Sequence, residues 1–388
     1  MATKFIQALL DLSEKAANLA RIVRAEQSLF ELLVQEKTGE DKNKRFVEDF
    51  KTLGDVLIQE MIRHDLNQEY PGLREYVFGE ESNKFTNTLG ESIVVEIQET
   101  QQETCQLLTK VLDGNSQAAS LLANSVHQSV HVMPSPECAD VQCEMDVNNI
   151  GIWIDPIDGT AEYIRGGVEE PSPDGIYQNG LPCAVILIGA FLRQTGEPIF
   201  GVINQPFSQL DKTSNIWSGR HLWGFCQQDI RVFATSNPII PKTCKGIGLI
   251  MSKSEDEQIK ECLVPITGDR QVYASGAGYK MLCVIEGLID GYILSKGSTF
   301  KWDTCAPHAI LKALGGGIIR LDKCLESVKS TENNTFDLDK VCIEYHKPDT
   351  PEYSTEGQKW CNTGGMLAYI NREVAYQILN ALCKNEII

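Results

Sequence analysis

Gly151-Ile152-Trp153-Ile154-Asp155-Pro156-Ile157-Asp158-Gly159-Thr160 is an apolar run that ends in two carboxylates three residues apart. Ile152, Trp153 and Ile154 have the β-branched and aromatic character of a strand, and Gly159 is placed to turn that strand into a helix. Asp155 and Asp158 can share hard cations, since Mg²⁺ prefers oxygen ligands. The amides of Gly159 and Thr160, at a helix N-terminus, can receive a phosphate. Alone, the run is also explained as an Asx turn followed by a helix cap. It is not an EF-hand loop, because the alternating acids and terminal Glu of that loop are missing.

N-terminal to this run, apolar residues recur at helical spacing from Phe5 to Glu36 and from Phe46 to Ile62, which predicts two helices. Glu91 to Ile97 reads as a strand, and Thr100 to Val111 and Ser116 to Val126 read as helices. Gly151 to Ile154, Cys183 to Phe191 and Ile199 to Ile203 are β-rich and separated by turn residues. Beyond a polar segment around Thr235 to Lys245 short strands alternate with helices. Gly246 to Met251 and Gly291 to Leu294 are strands; Glu255 to Leu263, Gly276 to Glu286 and Thr304 to Leu314 are helices, the last ending at three glycines. Two lobes follow, an α+β lobe over 1–240 and an α/β lobe over 241–388. At 388 residues the chain suits two packed domains that bury roughly three quarters of the unfolded surface.

Three further segments carry acids. Phe78-Gly79-Glu80-Glu81-Ser82 places adjacent glutamates after an apolar approach; by itself this is a solvated loop. Asp55 lies on the second predicted helix beside Val56 and Leu57. In Phe300-Lys301-Trp302-Asp303-Thr304-Cys305-Ala306-Pro307, Asp303 precedes a helix with proline in its first turn, so it serves equally as an N-cap or as a metal ligand.

The formal charge of −18 disfavours nucleic acid and anionic membranes as partners, yet divalent cations can bridge an acidic site to a phosphorylated small molecule. The 13 cysteines contain no CxxC pair, which argues for reduced core thiols and against zinc. No apolar stretch reaches the length of a membrane span and no signal peptide is visible, so the cytoplasm is the expected address.

Together and in order, these four acidic segments resemble the inositol monophosphatase superfamily of lithium-sensitive, magnesium-dependent phosphatases. Its two signature motifs correspond to Trp153 to Thr160 and to Lys301 to Pro307, with Glu80 and Glu81 between Asp55 and the first. Within it the chain resembles the branch that acts on inositol polyphosphates, through Gly79 to Asn87, Gly276 to Lys280, Phe300 to Asp303 and Asn362 to Gly365. A helical insertion between Gly90 and His131 and a long loop from Gly166 to Gly180 agree with that branch.

The resemblance implies an α/β (α+β) fold, a layered α/β/α/β/α sandwich. It implies hydrolysis of the 1-phosphate of inositol 1,4-bisphosphate and inositol 1,3,4-trisphosphate with Mg²⁺, inhibition by Li⁺, and a monomer. Glu80, Asp155 and the Ile157 carbonyl would hold one Mg²⁺; Asp155, Asp158 and Asp303 would hold the second, leaving Glu81 to a third ion or an outer position. Thr160, hydrogen-bonded to Asp55, would form a base relay. Asp158, Gly159 and Thr160 would meet the substrate, while Gly276, Ala277 and Gly278 with Lys280 would receive a distal phosphate. The competing expectations are a 3'-phosphoadenosine 5'-phosphate phosphatase and a catalytically silent metal-binding regulator.

Overall fold

The apolar run ending in Asp155 and Asp158 forms a nine-residue strand, Ile150–Asp158, with every residue buried, because both faces of its sheet are covered. The computed structural model describes residues 2–26, 34–37, 50–87, 89–236, 246–330, 337–349 and 357–384. In chain order, α1 (Ala2–Ala25) is followed by β1 (Val34–Glu36) and β2 (Phe50–Thr52), then by α2 (Leu53–Glu69) and β3 (Val77–Gly79). A small hairpin of β4 (Lys84–Thr86) and β5 (Ser92–Val94) precedes α3 (Gln101–Val111) and α4 (Ser116–His127). Then come β6 (Ile150–Asp158), α5 (Thr160–Arg165) and the antiparallel strands β7 (Val185–Leu192), β8 (Pro198–Asp211), β9 (Ile216–Gln227) and β10 (Ile230–Thr235). The large sheet has the order β10-β9-β8-β7-β6-β3.

The remaining elements are β11 (Leu249–Met251), α6 (Glu257–Thr267), β12 (Gln271–Tyr273), α7 (Ala277–Ile285), β13 (Gly291–Leu294), α8 (Lys301–Ala313), β14 (Gly317–Arg320), α9 (Leu321–Ser330), β15 (Met366–Tyr369) and α10 (Arg372–Cys383). Their strands form a sheet of order β12-β11-β13-β15-β14.

Strand alternation sorts the core into layers. Ile152 and Ile154 of β6 meet Phe5 and Leu9 of α1 and Leu57 of α2 on one face of the large sheet. Trp153 points to the other face, where Cys305 and Ile310 of α8 and Met281 of α7 lie against Tyr292 and Ala368 of the small sheet. The far face of the small sheet is covered by Ile259, Leu325 and Ile378 of α6, α9 and α10. The result is the expected α/β/α/β/α stack.

Three glycines in register across β7, β8 and β9 (Gly189, Gly201, Gly224) let α8 lie directly on the large sheet. A Cβ at Gly189 or Gly201 would come within 2.5 Å of the Ala306 amide nitrogen or 2.0 Å of its carbonyl oxygen. This trough sets how far the N-terminus of α8 reaches towards the end of β6.

Several boundaries differ from the sequence reading. α1 stops at Ala25, and α2 starts at Leu53, where the Thr52 hydroxyl accepts the Asp55 amide and Asp55 returns a bond to the Thr52 amide, a reciprocal cap that fixes the start. Residues 27–33 and 46–49 of the two expected helices lie outside the described residues, as does the expected lobe boundary at 240/241. α8 begins at Lys301, so Asp303 is its third residue rather than its N-cap, and Pro307 lies inside the helix. No disulfide joins the described cysteines.

Candidate active site

Regular strand geometry would send Asp155 and Asp158, three residues apart, to opposite faces of the sheet. A bulge prevents this: Asp155 pairs with Leu187 and Asp158 with Val185, so β6 carries one residue more than β7 across Pro156 and Ile157. Both carboxylates therefore emerge on the same side. Gly159 then adopts φ +84°, and a Cβ there would sit 3.1 Å from the Cys183 carbonyl oxygen, so only glycine makes this turn without strain.

Asp303 arrives from the other side, on the first turn of α8, with its Oδ2 accepting the Phe300 amide at 2.5 Å. Ligand oxygens of Asp155, Asp158 and Asp303 all lie within 4.8 Å of one another, and all three residues are buried. They sit in a cleft of about 1320 Å³ whose lining also includes Glu80, Glu81, Ile157, Gly159 and Thr160. Parallel pairing of β3 with β6 brings Glu80 beside this group, its amide donating to the Ile154 carbonyl at 3.3 Å.

Burial, reinforced by repulsion from Glu80, Asp158 and Asp303, pushes the Asp155 carboxyl well above the usual carboxylate range. Asp303 is raised in the same way by burial, Asp158 and Glu80, and burial lifts Asp158 to about 6. Asp155 Oδ1 is buried with no hydrogen-bond partner among the described residues. A crowded, desolvated, all-oxygen donor set of this kind fits a hard divalent cation, which would relieve the repulsion and occupy the orphaned oxygen.

Two residues that the sequence did not single out shape the acidic wall. Lys37 is buried and its ammonium lies 2.5 Å from Glu80 and 2.8 Å from Glu81. Gln59 of α2 clasps the Glu81 backbone, donating to its carbonyl at 2.6 Å and accepting its amide at 3.0 Å. Even so, burial raises Glu81 to about 8.

The expected Thr160–Asp55 hydrogen bond is not formed. The Thr160 hydroxyl donates to the Ile157 carbonyl at 3.0 Å, while Asp55 Oδ2 is taken by the amide and hydroxyl of Thr52 at 2.7 and 2.6 Å. Asp55 sits buried behind the cleft wall, and desolvation lifts it to about 6.

The expected anion receptor at Gly276, Ala277 and Gly278 is also engaged otherwise. The Ala277 and Gly278 amides donate to Asp158, at 3.2 and 2.8 Å, so the anion they hold is the protein's own carboxylate. Lys280 is no surface lysine: it is 3% exposed, donates to the Ala274 carbonyl at 3.1 Å and lies over the Tyr292 ring. Burial lowers its pKa to about 8 against the raising effect of Asp158.

The sequence profile described as the inositol monophosphatase family matches residues 8–347. The chain belongs to that family. Among similar members, the inositol polyphosphate 1-phosphatase of Mus musculus is 43% identical over 390 residues, 97% of this chain and 96% of that protein. The 3'(2'),5'-bisphosphate nucleotidase 1 of Rattus norvegicus is 25% identical over 313 residues, 81% of this chain and 82% of that protein. The crystal structure of the extragenic suppressor protein suhB from Bartonella henselae shares the fold, with a TM-score of 0.51 at 12% identity over 98% of this chain and 99% of that one.

Proposed function

We propose that this family member is a Mg²⁺-dependent phosphomonoesterase that removes the 1-phosphate from inositol polyphosphates, inositol 1,4-bisphosphate and inositol 1,3,4-trisphosphate among them. The observation that carries the reading is the convergence of Asp155, Asp158 and Asp303, from β6 and α8, within 4.8 Å inside one large cleft. In this reading Glu80, Asp155 and the Ile157 carbonyl hold one Mg²⁺, Asp155, Asp158 and Asp303 hold a second, and Glu81 is left to a third ion or an outer position. Bound Mg²⁺ neutralises the phosphate and acidifies water.

The chain's own groups do the rest. Gly159 and Thr160 receive the reacting phosphate at the start of α5, and Asp158 and Gly276 border the ring. Asp55, raised to about 6 by burial, is the proton acceptor. The Thr160 hydroxyl orients the attacking water and connects it to Asp55 by rotating away from the Ile157 carbonyl, a motion open to any hydroxyl. Li⁺ is expected to compete for the Asp155, Asp158 and Asp303 position.

The same reading takes the 1–240 and 241–388 lobes as functional halves, the first supplying most acids and the second Asp303. It also takes the protein as a cytoplasmic monomer without nucleic-acid or membrane partners. Among the described residues no helix is long and apolar enough to cross a membrane, and the charge of −18 repels polyanions.

Phosphate release from inositol 1,4-bisphosphate, inositol 1-phosphate and 3'-phosphoadenosine 5'-phosphate, each with and without Mg²⁺, tests the reading. Preference for the inositol bisphosphate is expected. Preference for the nucleotide would move the chain to the other branch, and no release from any of them would make it a silent binder.

A further inference from the structure

Asp303 reaches the acidic centre from α8, and the stretch of chain that sets its rotation is pinned from a distant part of the sequence. Phe300 lies just before α8, and its amide donates to Asp303 Oδ2 at 2.5 Å, which fixes the turn of that carboxylate. Both peptide planes that flank Phe300 are in turn held by Asn362, 62 residues further on. The Asn362 amide donates to the Thr299 carbonyl at 2.8 Å. Its side-chain nitrogen donates to the Phe300 carbonyl at 3.0 Å, with the Thr299 and Thr304 hydroxyls each 3.3 Å away.

Asn362 is 1% exposed, and its Oδ1 has no hydrogen-bond partner among the described residues. A buried acceptor left unmatched costs free energy, so it is the donor that holds this side chain in place. Turning the amide over would set Oδ1 against the Phe300 carbonyl oxygen, acceptor against acceptor.

Other contacts dock the same turn. Lys301 is wholly buried, its ammonium donates to Asp349 Oδ1 at 2.8 Å, and Asp349 Oδ2 lies 3.5 Å from Arg320 at the end of β14. Phe300 and Cys361 also pair as an antiparallel bridge. The start of α8 therefore stays anchored without the Asn362 side chain. What that side chain adds is the angle of the Phe300 peptide, and through it the angle of Asp303.

We propose that Asn362 is a positioning residue for the divalent cation that Asp303 shares with Asp155 and Asp158, acting through Phe300 on the Asp303 carboxylate. The proposal rests on the two-ion reading above. Carboxylates from two separate elements make one ion site only while each presents its oxygen at ion distance. Groups that orient metal ligands raise affinity without touching the metal, and their loss weakens binding by about 10- to 100-fold. Asn362 acts through one further hydrogen bond, so its effect lies at the lower end, about tenfold.

The test counts bound Mn²⁺ by electron paramagnetic resonance, with inorganic phosphate present, for the wild type, Asn362→Ala, Asp303→Asn and the double variant. Asn362→Ala should weaken one of the two ions about tenfold and leave the other as it was. Asp303→Asn should abolish that same ion, and adding Asn362→Ala to it should not weaken the ion that remains. General damage to the fold would weaken both ions, so the pattern separates positioning from structure. If Asn362→Ala does not fold, Asn362→Ser, which keeps a donor on a shorter side chain, takes its place under the same expectation. Unchanged Mn²⁺ affinity, or weakening of both ions, overturns the inference. Absence of Mn²⁺ binding by the wild type would overturn the proposed function, and the inference with it.

Discussion

The amide of Gly278 donates to Asp158 Oδ2 at 2.8 Å, joining the end of β6 to the first turn of α7. The charge of Lys280, followed by the amides of Gly278 and Ala277 in the same helix, partly offsets the burial that raises Asp158. The first turn of α7 therefore serves the acidic centre before it serves any ligand.

Lys280→Gln follows from that arrangement. Losing a buried, hydrogen-bonded ammonium should destabilise the fold by about 1–3 kcal/mol. It should also leave the preference for bisphosphate over monophosphate where it was. Urea unfolding and paired kinetics check both halves; a selective rise in KM for the bisphosphate would return Lys280 to the role of distal-phosphate contact.

Asp55→Asn should preserve the start of α2, because an amide oxygen can still accept from Thr52. Turnover should fall by about a hundredfold to ten-thousandfold, the worth of a positioned base. Retention of more than about a third of wild-type kcat, measured on protein with an unaltered melting temperature, would make Asp55 a helix cap and nothing more.

The acidic centre should make the metal-free protein less stable as pH rises. Asp155 and Asp303 have folded-state values raised above the ordinary carboxylate range, so the folded chain holds more protons than the unfolded one, and stability falls as pH climbs from about 4. Mg²⁺ at a hundred times its dissociation constant should restore about 2.7 kcal/mol. Asp155→Asn should melt higher than the wild type without Mg²⁺ and lose most of the Mg²⁺-induced shift. Thermal unfolding with Mg²⁺ or a chelator reads both, and an undiminished shift in Asp155→Asn would remove this residue from the ligand set.

Much of this centre was legible in the chain because its information is local. The strand ending in Asp155 and Asp158, the paired Glu80 and Glu81 and the helix carrying Asp303 each announce themselves within a few residues. The bulge at Pro156 and Ile157, which turns a spacing of three into a shared face, shows only once β7 is beside β6. Lys37 and Gln59 act on Glu80 and Glu81 from distant segments, and nothing adjacent to them marks that contact. The Ala277 and Gly278 amides looked open to a ligand because their partner, Asp158, is more than a hundred residues away. For Asp303 the sequence allows a cap and a metal ligand alike, because it does not show where α8 starts; the close bond from the Phe300 amide fixes that start at Lys301, and Asp303 is then the third residue of the helix.

His308 gives a pH test outside the acidic centre. It is fully buried on α8, its Nδ1 is 3.0 Å from the Tyr345 hydroxyl, and its Nε2 has no hydrogen-bond partner among the described residues. Burial, with Lys312 and Lys301 nearby, holds its pKa well below 6.5. The unfolded chain gains a proton that the folded chain refuses, so stability is lost as pH falls below about 6.5, at up to about 1.4 kcal/mol per pH unit. The stability difference between wild type and His308→Gln should shrink between pH 7.5 and pH 5.5 in urea unfolding. A constant difference would mean that His308 titrates normally in the fold.

The most direct measurement of the central claim is a ³¹P NMR time course of inositol 1,4-bisphosphate with the purified protein, run with Mg²⁺ and again with a chelator. The resonance of the 1-phosphate should disappear as inorganic phosphate grows while the 4-phosphate resonance persists, and no phosphate should be released with the chelator or by Asp303→Asn. Loss of the 4-phosphate first, or release that is indifferent to Mg²⁺, would contradict it.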